Sequence, residues 1–338
     1  MKALVICTGG GIGDVLLATP LMRALCARYA DVVALTAPRH REILSRQTVL
    51  SDVWLEDRSF AAQTARIAAA GFDAAVVTWA TLRTATLPFA ARVPTRVGQA
   101  RRAYSALFTH RVVVRSELGD RRTHWTQILL DFARALDCDA DDPTPSFPLT
   151  EAERSEAGRL LDDKGVLRPF VLLHPTRGIA ASRRGWPTVG LVALARAIRE
   201  VTASALVVTG AEDDSALAAK IAGDAGAISL AGDTSLGTFG ALAAQARAVV
   251  AMDSGPMHVA AAVGAPTLGI YALQSDEPDR WSPLGRRTAV VRPTYPCPPS
   301  HRKETCPDFA CIAMLDVPRI VAALSGLISE RTESPLGS

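Results

Sequence analysis

The sequence predicts an α/β protein built on doubly wound parallel sheets. Three features predict it: apolar runs of strand length, amphipathic helical stretches alternating with them, and small-residue turns directly after several of the runs. The alternation stops once, around 138–148, and then resumes, so two α/β units of similar size are expected in succession.

Taken in order, Ala3–Cys7 is a continuous apolar run, as a parallel strand buried on both faces requires. Thr8-Gly9-Gly10-Gly11-Ile12-Gly13 breaks it, and from Asp14 to Tyr29 the apolar residues recur at helical spacing, predicting one helix. Val32–Leu35 and Ala74–Thr78 read as further strands, with a helix over Phe60–Ala70. The pattern blurs between Leu82 and Asp120 and then predicts a helix at about His124–Leu136. The acidic, proline-rich, aperiodic stretch Cys138–Pro148 has the composition of a linker. Beyond it, strands are expected at Phe170–Leu173, Ala205–Val208, Ala248–Met252 and Thr267–Tyr271. Helices are expected near Thr188–Val201, Ser215–Ala222, Leu236–Ala246 and Val317–Ile328. The domains are accordingly drawn at 1–150 and 151–330, with a polar tail at 331–338.

Composition excludes several classes. Of 338 residues 49% are apolar and 21% charged, which describes a folded globular chain rather than a disordered one. The 37 basic and 34 acidic side chains leave a formal charge of +3, too small by itself to indicate a nucleic-acid binder. No apolar run approaches the roughly 20 residues that span a bilayer, and Ala3–Cys7 is too short for a signal-peptide core, so the cytoplasm is the expected compartment.

In open α/β sheets ligands sit beyond the carboxyl ends of the strands, so the residues just after each strand carry the functional information. In Gly11-Ile12-Gly13-Asp14 the acid either caps a helix or acts as a general base facing a cleft between the two domains. A dinucleotide fingerprint needs glycines at the first, third and sixth positions. Counting from Gly9 places Asp14 sixth, and counting from Gly11 places Leu16 there, so the spacing fails and a nicotinamide-dependent dehydrogenase is left as a weak alternative. Thr176 and the pair Arg183-Arg184 precede the Trp186-Pro187 helix start and supply donors suited to phosphate oxygens, or else form a solvated basic loop. Val207-Val208-Thr209-Gly210-Ala211-Glu212 ends a strand in a glycine followed by a carboxylate able to accept two ribose hydroxyls. In Asp253-Ser254-Gly255-Pro256-Met257-His258 a strand turns into a helix whose free N–H groups form an anion site, with His258 a ligand contact or a structural support.

These four segments, in this order, resemble glycosyltransferase family 9, the family of the ADP-heptose:lipopolysaccharide heptosyltransferases. The resemblance covers essentially the whole chain and rests on 11–20, on His174 with Trp186-Pro187, on 209–212 and on 253–258. It implies the GT-B fold, two Rossmann-like domains facing across a cleft, with the acceptor on the N-terminal one and the nucleotide sugar on the C-terminal one. It implies an inverting transfer of heptose from ADP-heptose to a lipopolysaccharide core-type acceptor, with no cofactor and no catalytic metal. By the same resemblance Asp14 is the base, and Arg184, standing where the family has a lysine, neutralises the leaving diphosphate, with Arg183 a possible substitute. Thr176 becomes a phosphate contact and Glu212 the ribose-binding acid. The backbone of Ser254, Gly255, Pro256 and Met257 cradles the diphosphate, Asp253 and His258 order that turn, and Gly13 and Gly210 join the donor-binding set. The alternatives are another nucleotide sugar or a protein acceptor in the same family, or a catalytically silent nucleotide-sugar-binding module.

Two clusters stand outside these motifs. Residues 92–122 carry eight arginines against Glu117 and Asp120, which is a solvated face or an attraction for an anionic glycolipid acceptor and the inner membrane surface. Cys297, Cys306 and Cys311, with His301 between, have enough ligands for a structural zinc or iron site, though the spacing departs from paired C-x2-C; a structural thiol cluster or disulfide is the alternative.

Overall fold

The computed structural model describes residues 1–176, 186–274, 276–294, 296–298, 306 and 309–329. The chain divides into two compact units, Met1–Pro148 with Asp279–Trp281, and Leu149–Pro278 with Ser282–Ser338.

The first unit holds strands β1 (Lys2–Cys7), β2 (Asp31–Thr36), β3 (Asp52–Leu55), β4 (Ala74–Val77), β5 (Thr95–Gln99) and β6 (His110–Val112). They form one six-stranded sheet in the order β3-β2-β1-β4-β5-β6, and every pairing is parallel. The second unit holds β7 (Phe170–His174), β8 (Ala205–Val208), β9 (Ile228–Ser229), β10 (Ala248–Met252), β11 (Thr267–Ile270) and β12 (Thr288–Val291). Their order β12-β11-β10-β7-β8-β9 is the same topology, again wholly parallel. In both sheets the strand order reverses beside the first strand, between β1 and β4 and between β7 and β10. A crevice for a ligand opens at such a switch point.

The central strands are continuous apolar runs because helices cover both faces: Ala3–Ile6 and Val171–Leu172 are wholly or almost wholly buried. The predicted strands reappear within a residue or so of their expected limits. The single helix expected over Asp14–Tyr29 is instead two, α1 (Ile12–Leu16) and α2 (Thr19–Cys26). Pro20 is the cause, since it has no N–H to donate to the carbonyl of Leu16. The Thr19 hydroxyl donates to that carbonyl instead, at 2.8 Å, and α2 restarts with proline in its first turn.

The remaining helices of the first unit are α3 (Arg41–Ser45), α4 (Phe60–Ala70), α5 (Leu82–Ala90) and α6 (Trp125–Arg134). Those of the second are α7 (Glu151–Asp163), α8 (Thr188–Thr202), α9 (Ser215–Ala225), α10 (Leu236–Gln245) and α11 (Gly255–Ala262), then α12 (Pro278–Trp281), which straddles the division, and α13 (Val317–Ser329). The stretch with linker composition is fastened to the first unit over much of its length. Arg23 donates to the Thr144 carbonyl and the Asp142 carboxylate, Gln47 to the Ser146 carbonyl, and the Arg46 guanidinium lies 4.1 Å over the ring of buried Phe147. Its aperiodic sequence reflects a strap that follows the surface rather than a helix or strand. Among the described residues no helix is long and apolar enough to cross a membrane.

Candidate active site

The first constellation lies beyond β1. Gly10 takes φ +78°, a left-handed conformation that turns the chain at little cost only without a Cβ. Gly11 is extended, and Asp14, in the first turn of α1, reaches back to accept the Gly11 N–H at 2.6 Å. The capping reading of Asp14 is met: the carboxylate closes the helix start, and the bond that does so fixes its direction. The fit is close, since a Cβ on Gly10 would stand 2.6 Å from Asp14 Cβ and Oδ2. From the end of β2 the exposed Arg39 donates to the Gly10 carbonyl at 3.3 Å and through Nε to His40 Nε2 at 3.1 Å. Burial, with the Arg39 charge beside it, lowers the His40 pKa to about 4, against a smaller upward pull from the Gly10 backbone. His40 is thus neutral near pH 7. Beneath the turn, burial pushes the Cys7 thiol up to about 11, the Thr78 hydrogen bond partly opposing and the Asp14 charge adding.

The second constellation lies beyond β7 and β8. His174 is buried at the end of β7, its Nδ1 3.2 Å from the Thr209 hydroxyl and its Nε2 3.3 Å from the Thr176 hydroxyl. Thr176 also donates to Asp214 Oδ2 at 3.1 Å, and the same oxygen accepts the Ala211 N–H at 3.1 Å. With the Thr176 proton given to Asp214, Nε2 must carry the imidazole proton and Nδ1 accept. That agrees with a pKa lowered to about 4 by burial, which the Asp214 charge only partly offsets. The chain Thr209–His174–Thr176–Asp214–Ala211 ties the ends of two neighbouring strands into one rigid edge. Glu212 is exposed beside it, in a short 3₁₀ turn Glu212–Asp214. Gly210 is required by close approach, because a Cβ there would lie 2.8 Å from Asp214 Cβ. Asp214 was missed in the sequence, where it is one of three consecutive acids and only its spatial partners distinguish it.

The third constellation follows β10. Asp253 extends the strand ladder by donating its N–H to Ile270 at 2.9 Å. Ser254 is extended (φ −158°) and caps α11 by position, with Pro256 in the first turn. The Ser254 hydroxyl is buried and has no hydrogen-bond partner among the described residues, as fits a donor reserved for a ligand. Met257 points inward, where a Cβ on Gly269 would meet its sulfur at 2.7 Å, so only its backbone can serve an anion. His258 is buried. Tyr271 lies fully buried near Asp253 and Asp276, and burial with those two charges drives its pKa far upward, so it stays a neutral phenol.

Arg183 and Arg184 lie outside the described residues, as does His301. Of the cysteine cluster, Cys311 is buried and its sulfur accepts the Gln274 N–H at 3.5 Å, while Cys306 accepts the Phe309 N–H at 3.3 Å. Both, like Cys297, are free thiols, and among the described residues no three histidine, cysteine or acidic side chains gather as a metal site.

Two parallel sheets of one Rossmann order, with polar constellations beyond the carboxyl ends of the strands at their switch points, define a GT-B α/β protein. A solved glycosyltransferase family 9 structure from Veillonella parvula superposes with a TM-score of 0.82 at 17% identity, covering 98% of each chain. The ADP-heptose lipopolysaccharide heptosyltransferase II of Escherichia coli gives 0.78 at 22% identity, covering 97% of this chain and 98% of that one. Lipopolysaccharide heptosyltransferase 2 of Salmonella typhimurium is 26% identical over 313 residues, 86% of this chain and 88% of that protein. The model of glycosyltransferase family 9 (heptosyltransferase) matches residues 61–308, and the chain belongs to that family. It is a glycosyltransferase. The matched stretch begins beyond the Asp14 turn.

Proposed function

We propose that this glycosyltransferase transfers heptose from ADP-heptose to a lipopolysaccharide core-type acceptor, with inversion and without a catalytic metal. The observation that carries the reading is the fixed carboxylate of Asp14 beyond β1, beside the switch point of a sheet whose relatives include heptosyltransferases. The acceptor oxygen attacks the anomeric carbon on the face opposite the diphosphate. Its proton passes to Asp14 as the new C–O bond forms, and the anomeric carbon–phosphate oxygen bond breaks with its electron pair leaving on ADP.

The leaving group is held by donors of the second unit. The first N–H groups of α11 and the buried Ser254 hydroxyl suit diphosphate oxygens, and helix dipole and hydrogen bonds act there together. Glu212 accepts the ribose hydroxyls. Thr176 has its proton on Asp214, so it serves the donor by holding that acid and His174 in place. Arg184, with Arg183, supplies positive charge as the diphosphate departs.

The acceptor is an anionic glycolipid taken up at the inner face of the cytoplasmic membrane. Of the eight arginines in 92–122, Arg96 is spent on the carbonyls of Leu107 and Val93, Arg102 pairs with Glu117 at 2.7 Å, and Arg115 grips Asp131 with two bonds of 2.7 Å. Arg92, Arg101, Arg111 and Arg122 are exposed and give this stretch its positive charge.

Asp14→Ala tests the reading directly. Loss of a positioned base is expected to lower the transfer rate by about 10²–10⁴. Calorimetric titration should meanwhile show ADP-heptose and ADP binding as to the parent protein, and neither UDP-sugars nor NAD binding. Activity within a few-fold of the parent would show that Asp14 is not the base, and binding confined to a uridine nucleotide would discard the heptose.

A further inference from the structure

Trp79 is left unexplained by the fold. It follows β4 directly, is 42% exposed, and so spends one of the most burial-prone side chains on solvent. The indole is nevertheless held in place. A Cβ on Gly9 would stand 2.4 Å from its Cδ1 and 2.7 Å from its Cγ, so the ring lies on the Gly9 backbone and position 9 must be glycine. Trp125, at the start of α6, meets it nearly edge-on at 5.9 Å and 63°, and Trp281 stacks on Trp125 at 5.1 Å and 30°. Three indoles therefore lean on one another, and the outermost shows part of its surface beside the Asp14 turn. Gly9 carries the indole and Gly10 the Asp14 carboxylate. The indole and the carboxylate therefore lie against adjacent residues of one turn, whose Cα atoms are about 3.8 Å apart.

We propose that Trp79 is the platform on which an acceptor sugar ring stacks so that its reacting hydroxyl faces Asp14. The inference rests on the reading of Asp14 as the base and of the first unit as the acceptor's. The axial C–H groups of a pyranose form an apolar, faintly positive face, and an indole presents an apolar, electron-rich one. Stacking fixes the plane of the acceptor ring without hydrogen bonds, leaving its hydroxyls for chemistry. The edge-on contact with Trp125 fixes the tilt of the platform. The ligand is thus a pyranoside with one open C–H face and a hydroxyl at its edge. Trp79 acts by positioning the acceptor and selects for the shape of its ring.

The test uses the full-length protein, with the delipidated core oligosaccharide of a heptose-deficient lipopolysaccharide as the probe. Trp79→Leu keeps apolar bulk over Gly9 and removes the aromatic face, whereas Trp79→Phe keeps a smaller face. Calorimetry should show Trp79→Leu binding the oligosaccharide about tenfold more weakly, with Trp79→Phe recovering most of the loss. ADP affinity should stay at the parent value in both, the melting temperature should fall by no more than the few degrees that loss of the Trp125 contact explains, and in turnover the loss should appear in the acceptor KM with the donor KM unmoved. Equal oligosaccharide binding by Trp79→Leu and the parent would overturn the proposal. So would a Trp79→Leu defect confined to sedimentation with phosphatidylethanolamine–phosphatidylglycerol vesicles, which would make the indole a membrane contact. Because binding is read without turnover, a protein that binds the oligosaccharide through Trp79 but transfers no heptose would refute the proposed activity and leave this inference standing.

Discussion

Gly10→Ala is the sharpest perturbation of the turn. At φ +78° an added Cβ costs about 1–2 kcal/mol in the left-handed region. It also lands 2.6 Å from Asp14 Oδ2 and 2.7 Å from Cγ, well inside contact distance, so the carboxylate or the turn must move. If the side chain swings away, it gives up the 2.6 Å bond from Gly11, a charge-assisted bond of about 1.5–3 kcal/mol. Either way the carboxylate is displaced by roughly 1 Å, a misplacement that can cost about 10² in rate. The expected result is a kcat about a hundredfold lower, ADP affinity unchanged, and a melting temperature lower by several degrees. Gly11→Ala is the matched control. Its backbone is ordinary extended chain (φ −99°) and its nearest contact would be Asp14 Oδ2 at 3.7 Å, so it should transfer within a few-fold of the parent rate. The assay is steady-state transfer with ADP-heptose, read beside calorimetry with ADP and a thermal melt. A folded Gly10→Ala enzyme of parental kcat would refute the placement of Asp14 as the base, and so would equal losses in the two variants.

Two further outcomes follow from the same geometry. His40 and His174 are both lowered from the ordinary 6.5 to about 4, so between those values the unfolded chain binds protons that the folded one refuses. Their contribution is intact above pH 6.5 and is lost as pH falls towards 4, by at most about 3 kcal/mol each. Chemical denaturation across that window should show the decline, and His174→Gln should flatten it; an unchanged slope would contradict the buried neutral imidazole. Gly210→Ala, whose Cβ would meet Asp214 Cβ at 2.8 Å, should pry Asp214 from Ala211 and Thr176 and weaken ADP binding about tenfold while sparing the acceptor KM. Parental ADP affinity in a folded variant would remove Asp214 from the donor edge.

The central strands were legible in the sequence because burial on both faces leaves an unbroken apolar run, as in Ala3–Cys7 and Ala248–Met252. The edge strands β3 and β12 were not, since their residues are half-buried and mix polar with apolar side chains. Helix α7 has only Ala157 and Leu161 buried, so it lacks an apolar stripe. Its sequence signal is the reciprocal pair Thr150 and Glu153, joined by bonds of 2.8 and 3.3 Å. The break between α1 and α2 was missed, because helical periodicity runs through it; its local signal is Pro20.

The turns after the strands came from sequence for a physical reason. Glycine, proline and an acid at fixed offsets are local requirements, imposed by backbone angle and by helix starts within a few residues. Gly10, Asp14, Ser254 and Pro256 are of this kind. What required the tertiary structure were pairings between residues far apart along the chain. Thr176 meets Asp214 across 38 positions, Arg115 meets Asp131 in a two-bond pair, and Trp79 lies on a glycine seventy residues before it. Periodicity and composition record which face of a strand is dry and where a helix begins. Which side chains then meet is decided by strand order, because adjacency in a parallel sheet follows the crossovers and not the distance along the chain.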